Sequence, residues 1–388
     1  MRVAIAVGTR PEIVKMAPVI RACQDSGVPF FVVHTGQHYS YELDGIFFKE
    51  LDLPMPEVRL DVGSGSHGYQ ISTIMARLEP VLRQEGPDIV LVEGDTNSVV
   101  GVALVAKTLD IPLGHIEAGL RSYDRSMPEE MNRVLVDHIS DVCFAPTKTA
   151  AAALMREGIS HERVAVTGNT VVDEVLRQRE HADRLGIPAS LGLRDHPYVV
   201  ATVHRAENTD DPERLRGIFE GLGRVGRDLK LPIVAALHPR TLARLERFEI
   251  TVEPVIRVLP PLGYLEFLGL QASASLVVTD SGGLQEEACS LGVPCVTIRD
   301  STERPESIEV GANVLAGADP ERILGMAAMM IGRGTTWLNP FGDGKSGQRI
   351  VGMLATAMET HRNLVSEVVT PWPSLESLVP DVDFVRAD

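Results

Sequence analysis

Short runs of β-branched and aliphatic residues alternate with amphipathic stretches along almost the whole of this chain, and the alternation limits what it can fold into. The apolar runs cover residues 3–7, 30–33, 89–92, 198–202, 276–279 and 294–298, with stretches of helical spacing such as 12–25 and 97–109 between them. Strands that read as continuous apolar runs are covered on both faces, which calls for parallel sheets flanked by helices. The pattern also restarts. The run 164–166 closes one series, a polar helical linker of Arg, Glu, His and Asp residues follows, and Tyr198-Val199-Val200-Ala201-Thr202 opens a second series. At 388 residues the chain is too long for one ordinary core. We therefore expect an α/β protein of two doubly wound, Rossmann-like domains facing a cleft. The boundary falls near Gly168, giving domains 1–168 and 169–365 and an irregular, proline-bearing tail over 366–388.

Composition narrows the function classes. A hydrophobic content of 44% with 23% charged residues is that of a soluble globular chain. The formal net charge is -16 and no basic run stands out, which argues against nucleic-acid and anionic-membrane surfaces. An anionic ligand must then be held by a local basic site. The apolar start, residues 1–8, is too short for a signal peptide, runs at once into Thr9-Arg10-Pro11-Glu12, and reads as a buried first strand. No apolar run approaches the length of a membrane span. Cys23, Cys143, Cys289 and Cys295 form no CxxC pair and no metal spacing, and read as buried thiols in a reducing cytoplasm. No HExxH motif occurs in the sequence, so metal-free chemistry is expected.

The densest chemistry lies in His115-Ile116-Glu117-Ala118-Gly119-Leu120-Arg121 and Met127-Pro128-Glu129-Glu130-Met131-Asn132-Arg133. Pro128 suits the first position of a helix, and Glu129 and Glu130 suit the positive end of its dipole. Glu117 has no such structural excuse. It ends an apolar strand, where an acid is either functional or half of a buried ion pair with Arg121. Val92-Glu93-Gly94-Asp95-Thr96-Asn97 repeats the theme of strand, glycine turn and acid before a helix, so Asp95 is a helix cap or a catalytic carboxylate.

Anion-binding features occur in both halves. Gly8-Thr9-Arg10-Pro11-Glu12 turns the first strand into the first helix, with Arg10 and Lys15 supplying positive charge. It is not GxGxxG, so no dinucleotide cofactor is expected there. Thr279-Asp280-Ser281-Gly282-Gly283 leads an apolar strand into a helix whose free N–H groups and dipole suit a diphosphate, with an N-cap from Asp280 or Ser281. Glu287 lies about one turn inside that helix, within reach of a ribose diol. Pro260-Pro261-Leu262-Gly263-Tyr264-Leu265-Glu266-Phe267 precedes it as a loop able to read a base edge, and Arg304 follows it. His204 and His238 each follow a strand of the second series, a better place for chemistry than a core face.

With these residues in view, the chain resembles the non-hydrolysing UDP-N-acetylglucosamine 2-epimerase family. The matching pieces are GTRPEIVKMAPVI, HTGQH, VEGDTNSV, GHIEAGLRS, MPEEMNR, VTGNTVVD, TVHRAEN, TDSGGLQEE and RDSTERPES, in order along most of the chain. The resemblance implies a two-domain fold of the GT-B glycosyltransferase type, a homodimer, and no cofactor. It implies catalytic roles for Asp95, Glu117, Glu130 and His204. It places nucleotide binding on Arg10, Lys15, Ser281, Gly282, Gly283, Glu287 and Arg304, with Phe267 in the uracil loop and Arg133 positioning Glu130. The implied reaction expels UDP from C1 as the C2 proton leaves, giving 2-acetamidoglucal, and then adds UDP and a proton back from the other face. The Gly-Ser-rich stretch 61–68 is similar to relatives acting on 2,3-diacetamido-uronic acid nucleotides, which keeps that sugar open alongside UDP-N-acetylglucosamine. A hydrolysing epimerase and a GT-B glycosyltransferase are the remaining readings; the acid cluster favours proton transfer at C2 over transfer to an acceptor.

Overall fold

Strand β1 (Val3–Val7) is buried at all five positions, as expected of an apolar run between two helical layers. The computed structural model describes residues 1–37, 41–125, 127–194, 196–333 and 336–364, so the expected tail over 366–388 lies outside the described residues. Around β1 the first unit builds a parallel sheet with β2 (Phe30–His34), β3 (Val58–Arg59), β4 (Ile89–Glu93), β5 (Leu113–Ile116), β6 (Val142–Ala145) and β7 (Val164–Val166). The strand order is β3-β2-β1-β4-β5-β6-β7, with Val3 paired to Phe30 on one side and to Ile89 on the other. Ala4, Val33, Val90 and Leu113 join Ile74, Leu78 and Val102 from flanking helices in its main core.

The second unit repeats the plan with β8 (Val199–Thr202), β9 (Ile233–Ala236), β10 (Ile256–Leu259), β11 (Leu276–Thr279), β12 (Cys295–Thr297) and β13 (Asn313–Leu315). Its order is β10-β9-β8-β11-β12-β13, the doubly wound order of a dinucleotide-type fold. In each sheet the winding reverses beside the first strand, between β1 and β4 and between β8 and β11. At such switch points the two flanking loops run apart and leave a crevice beyond the carboxyl ends of the strands. The turns carrying Arg10, Asp95, His204 and Ser281 all follow switch-point strands. Among the described residues, no helix is long and apolar enough to cross a membrane.

The first unit comprises Met1–Glu174 and the C-terminal part of the chain from Phe341, and the second is Val175–Pro340. The boundary thus falls inside the helix Thr170–Arg184, just beyond Gly168. The helix Ser346–Leu364 groups with the first unit, whereas the sequence alone assigns it to the second. Packing explains the return. The Phe341 carbonyl accepts from the Asn169 N–H at 2.7 Å, and the Gly347 N–H donates to the Asp173 carboxylate at 2.9 Å. Gly347 lies so close to the first helix that a Cβ there would come within 2.6 Å of the Pro18 carbonyl oxygen.

That contact yields a paired test. Alanine at an exposed helical glycine stabilises by about 1 kcal/mol, so Gly352→Ala, whose Cβ meets nothing within 4 Å, should raise the thermal midpoint. Gly347→Ala should lower it, because backbone must shift to admit the methyl at a cost of about 1–3 kcal/mol. Thermal denaturation of both variants reads the two signs; a rise for Gly347→Ala means that this helix contact is loose.

Candidate active site

Two neighbouring strands of the first sheet run into carboxylates. β4 ends at Glu93, turns through Gly94 at φ +84°, and reaches Asp95; Thr96, not Asp95, occupies the cap position of the helix Asn97–Thr108. β5 ends at Ile116, and Glu117 follows in the left-handed region at φ +65°. A residue with a side chain adopts that conformation at a cost of about 1–2 kcal/mol, so the surroundings hold it there. Lys15, one turn into the helix Arg10–Asp25, supplies the hold: its Nζ binds Glu117 Oε2 and lies 3.0 Å from Glu93 Oε1. Asn169 donates to the same Glu117 oxygen at 3.2 Å.

This cluster is nearly dry. Glu93 is 2% exposed and Glu117 is 5% exposed. Burial pushes the Glu93 carboxyl well above the usual carboxylate range, with Lys15 opposing the shift and the charges of Glu117 and Glu12 adding to it. Glu12 is also buried, accepts from the Thr96 hydroxyl at 2.6 Å and from the Gly8 N–H, and is pushed up to about 7, chiefly by burial. Neither Glu12 nor Glu93 was singled out from sequence. Glu93 carries the same signal as Glu117, an acid ending an apolar strand, with Asp95 two residues on.

The remaining first-unit candidates divide. Arg133 ion-pairs with Asp95 through one nitrogen and with Glu130 through the other, at 3.0 Å. Glu130 also accepts from the Ser122 N–H at 2.9 Å, the Ser122 hydroxyl at 3.0 Å and the Tyr123 N–H at 3.0 Å. With four donors on one buried carboxylate, Glu130 fastens the loop after β5 to the helix Pro128–Ile139. Its half-buried neighbour Glu129 shares the first turn of that helix. Arg121 pairs with Asp137 and Glu157, both at 2.7 Å, so the ion pair with Glu117 considered from sequence belongs to Lys15 instead. Arg10 lies over the Phe47 ring, 5.4 Å from its centroid.

In the second unit His204 follows β8, and its Nδ1 lies 2.8 Å from the Asp280 carboxylate at the end of β11. Asp280 also accepts the N–H groups of His204 and Arg205 and the Asn208 amide. Against the penalty of burial, the His204 contacts hold the Asp280 carboxyl below its usual range. Asp280 therefore anchors His204, and Ser281 caps the helix Gly282–Leu291, its hydroxyl accepting from the Leu284 N–H. His204 keeps 48% of its side chain exposed. Among the described residues, the Gly282 and Gly283 N–H groups have no backbone acceptor outside the helix, which leaves them available to an anion.

A Cβ at Gly282 would come within 2.8 Å of Arg304 Nη1 and 2.9 Å of Glu303 Oε1, so a side chain there would have to displace that pair. Arg304 reaches Glu286 at 3.0 Å and Glu303 at 2.8 Å, so its guanidinium braces the turn from beneath. Glu287 is buried in the same helix, and Phe267 is half-buried in the helix Tyr264–Ala272. Glu266 closes the preceding loop by accepting the Gly263 N–H at 2.9 Å.

The raised Glu12 group has a measurable signature. A carboxyl raised from 4.5 to about 7 by folding contributes fully below its unfolded value and loses that contribution as pH rises through the folded one. Global stability should thus carry a component, on the order of 3 kcal/mol, that fades between those limits. Glu12→Gln, neutral at every pH, should flatten the curve across that window in denaturant titrations. An unchanged slope would mean that Glu12 stays ionised in the folded chain.

Comparisons with known proteins can be set beside this geometry. The family model described as UDP-N-acetylglucosamine 2-epimerase matches residues 21–355. The UDP-N-acetylglucosamine 2-epimerase of Methanocaldococcus jannaschii is 48% identical over 361 residues, spanning 91% of this chain and 99% of that one. The crystal structure of that enzyme in complex with UDP-GlcNAc and UDP superposes with a TM-score of 0.87, covering 92% of this chain and 99% of its own. The UDP-2,3-diacetamido-2,3-dideoxy-D-glucuronate 2-epimerase of Pseudomonas aeruginosa is 40% identical over 359 residues, or 92% of this chain and 99% of that one. Its two parallel α/β sheets, its acid-bearing turns and these similarities agree: the chain belongs to the UDP-N-acetylglucosamine 2-epimerase family.

Proposed function

We propose that this chain interconverts UDP-N-acetylglucosamine and UDP-N-acetylmannosamine by eliminating and re-adding UDP. The observation that carries this reading is Glu117, held in a left-handed turn by Lys15 at the carboxyl end of β5, with Asp95 on the turn after the adjacent β4. The C2 proton of the sugar is not acidic, because the acetamido nitrogen activates it poorly. Its removal must accompany loss of UDP from C1, which leaves a C1–C2 double bond, 2-acetamidoglucal. Return of UDP to C1 with delivery of a proton to the opposite face of C2 completes the inversion. Two carboxylates on adjacent strand ends suit removal and return of that proton. Lys15 pairs with Glu117 in its dry site, and Arg133 pairs with Asp95. Glu130, committed to the loop 122–123, shapes the site through Arg133 and the loop. The Ser281-Gly282-Gly283 turn holds the departing diphosphate by N–H groups, with His204 set beside it by Asp280, while Glu287 takes the ribose.

The Pseudomonas relative keeps a second substrate in view, the 2,3-diacetamido-uronic acid nucleotide. The higher identity to the Methanocaldococcus enzyme favours UDP-N-acetylglucosamine. Incubation with each nucleotide in D2O, followed by NMR, separates the readings. We expect UDP-N-acetylmannosamine with deuterium at C2 from UDP-N-acetylglucosamine. Stoichiometric free UDP and N-acetylmannosamine would assign the chain to hydrolysing enzymes, and turnover of the uronate alone would change the substrate. Glu117→Gln and Asp95→Asn should each lower turnover by at least about 100-fold while leaving UDP affinity intact. A variant that keeps normal turnover but melts early would make that carboxylate structural.

Nucleotide binding makes a separate prediction. UDP at 100 times its dissociation constant should stabilise the protein by about 2.7 kcal/mol. Arg10→Ala should reduce UDP affinity by roughly 1.5–3 kcal/mol if its guanidinium meets phosphate. Glu287→Ala should weaken UDP more than deoxy-UDP, since only the former offers the diol. Calorimetry decides; equal losses for both nucleotides would remove Glu287 from the ribose, and an unchanged Arg10→Ala affinity would leave the first-unit turn a structural one.

A further inference from the structure

His115 stands inside β5, two residues before Glu117, and is fully buried together with Asp137. An apolar residue would satisfy the strand at lower cost, since a buried charged pair recovers its desolvation only through good geometry and full hydrogen bonding. Here every partner is in place. His115 Nδ1 lies 2.7 Å from Asp137 Oδ1, and Nε2 lies 2.8 Å from the Gly94 carbonyl oxygen. A backbone carbonyl offers lone pairs and no proton, so Nε2 donates. Arg121 pairs with Asp137 Oδ2 at 2.7 Å, and Asp137 also accepts the Gly119 N–H at 3.2 Å. The Arg121 guanidinium and the Gly119 N–H both meet Asp137 as a carboxylate, so it accepts from Nδ1 as well.

The two turns held by this pair are those bearing the candidate acids. The Gly94 carbonyl belongs to the peptide unit that carries the Asp95 N–H, so fixing that carbonyl fixes the plane from which Asp95 departs. Gly119 closes the turn that begins at Glu117, and both have positive φ, +85° and +65°. A Cβ at Gly119 would come within 2.3 Å of the Ala150 carbonyl oxygen, so this backbone is pressed against its neighbour and has little room to drift. Asp137 reaches the site from the helix Pro128–Ile139, which also supplies Arg133 to Asp95 and Asn132 to the Asp95 carbonyl, the latter at 2.8 Å.

We propose that His115 and Asp137 are positioning residues, a doubly donating imidazole and its carboxylate that lock the Asp95 and Glu117 turns in register with each other. The inference rests on the reading that those two acids move the C2 proton. It predicts a loss in the chemical step rather than in nucleotide binding. His115→Gln, which offers one amide in place of two opposed ring N–H donors, and Asp137→Asn, which removes the charge, should each lower turnover and C2 deuterium exchange by about 10- to 100-fold, the scale of a small misplacement of reacting groups. UDP affinity by calorimetry should stay within about twofold.

A second measurement does not depend on how the variants fold. In wild-type protein with 15N-labelled histidine, the ring signal that disappears in His115→Gln, or that nuclear Overhauser contacts to β5 assign, should show a proton on both nitrogens. A single ring proton overturns the proposal. So does normal turnover in both variants, or a loss of UDP affinity as large as the loss of turnover. Wild-type protein that places no deuterium at C2 would instead sink the proton-transfer reading and leave the two-proton ring signal to stand or fall alone.

Discussion

One ammonium group set among buried carboxylates organises the first unit. Lys15 leaves the first helix and reaches Glu93 at the end of β4 and Glu117 beyond the end of β5, tying three elements at the switch point of the sheet. Without it, two buried acids would lose the counter-charge they share, and breaking such a buried pair typically costs about 3–5 kcal/mol. The arrangement also divides labour. Burial favours a protonated Glu93, while direct contact with Lys15 favours the charged form of whichever carboxylate holds the ammonium. One counter-charge is thereby shared between two buried carboxylates.

The second unit solves its own problem with a carboxylate acting as acceptor. Asp280, at the end of β11, gathers the N–H groups that open the turn after β8 and holds His204 by Nδ1. Glu130 does the equivalent work in the first unit for the loop after β5. In both places a buried anion replaces water as the partner of loop N–H groups, which lets a turn at a strand end keep one conformation without regular structure. The Ser281-Gly282-Gly283 turn depends on the same logic from below, where Arg304 and Glu303 occupy the space that a side chain at Gly282 would need.

Much of this was legible locally. β1, β7 and β11 run over the residues that their apolar patterns mark, and Pro128 and Glu129 stand in the first turn of a helix as their chemistry suggests. Glu117 was legible because an acid that ends an apolar strand contradicts the pattern around it. Asp280 was harder to read: an acid before a Ser-Gly-Gly turn looks like a helix cap, and only the return of β8 alongside β11 shows that it serves His204.

The sequence by itself determined the alternation of strand and helix, the restart of the pattern in a second unit, and the placing of each chemical motif just after a strand. These follow from periodicity and turn chemistry, which act over a few residues. Only the tertiary structure decided which charges meet. Lys15 and Glu117 are 102 residues apart, His115 and Asp137 are 22 apart, and the helix Ser346–Leu364 returns to the first unit across the whole of the second. Such pairings depend on which strands become neighbours in the sheet, and strand order is set by burying all the apolar faces at once, a condition that no local stretch of residues contains.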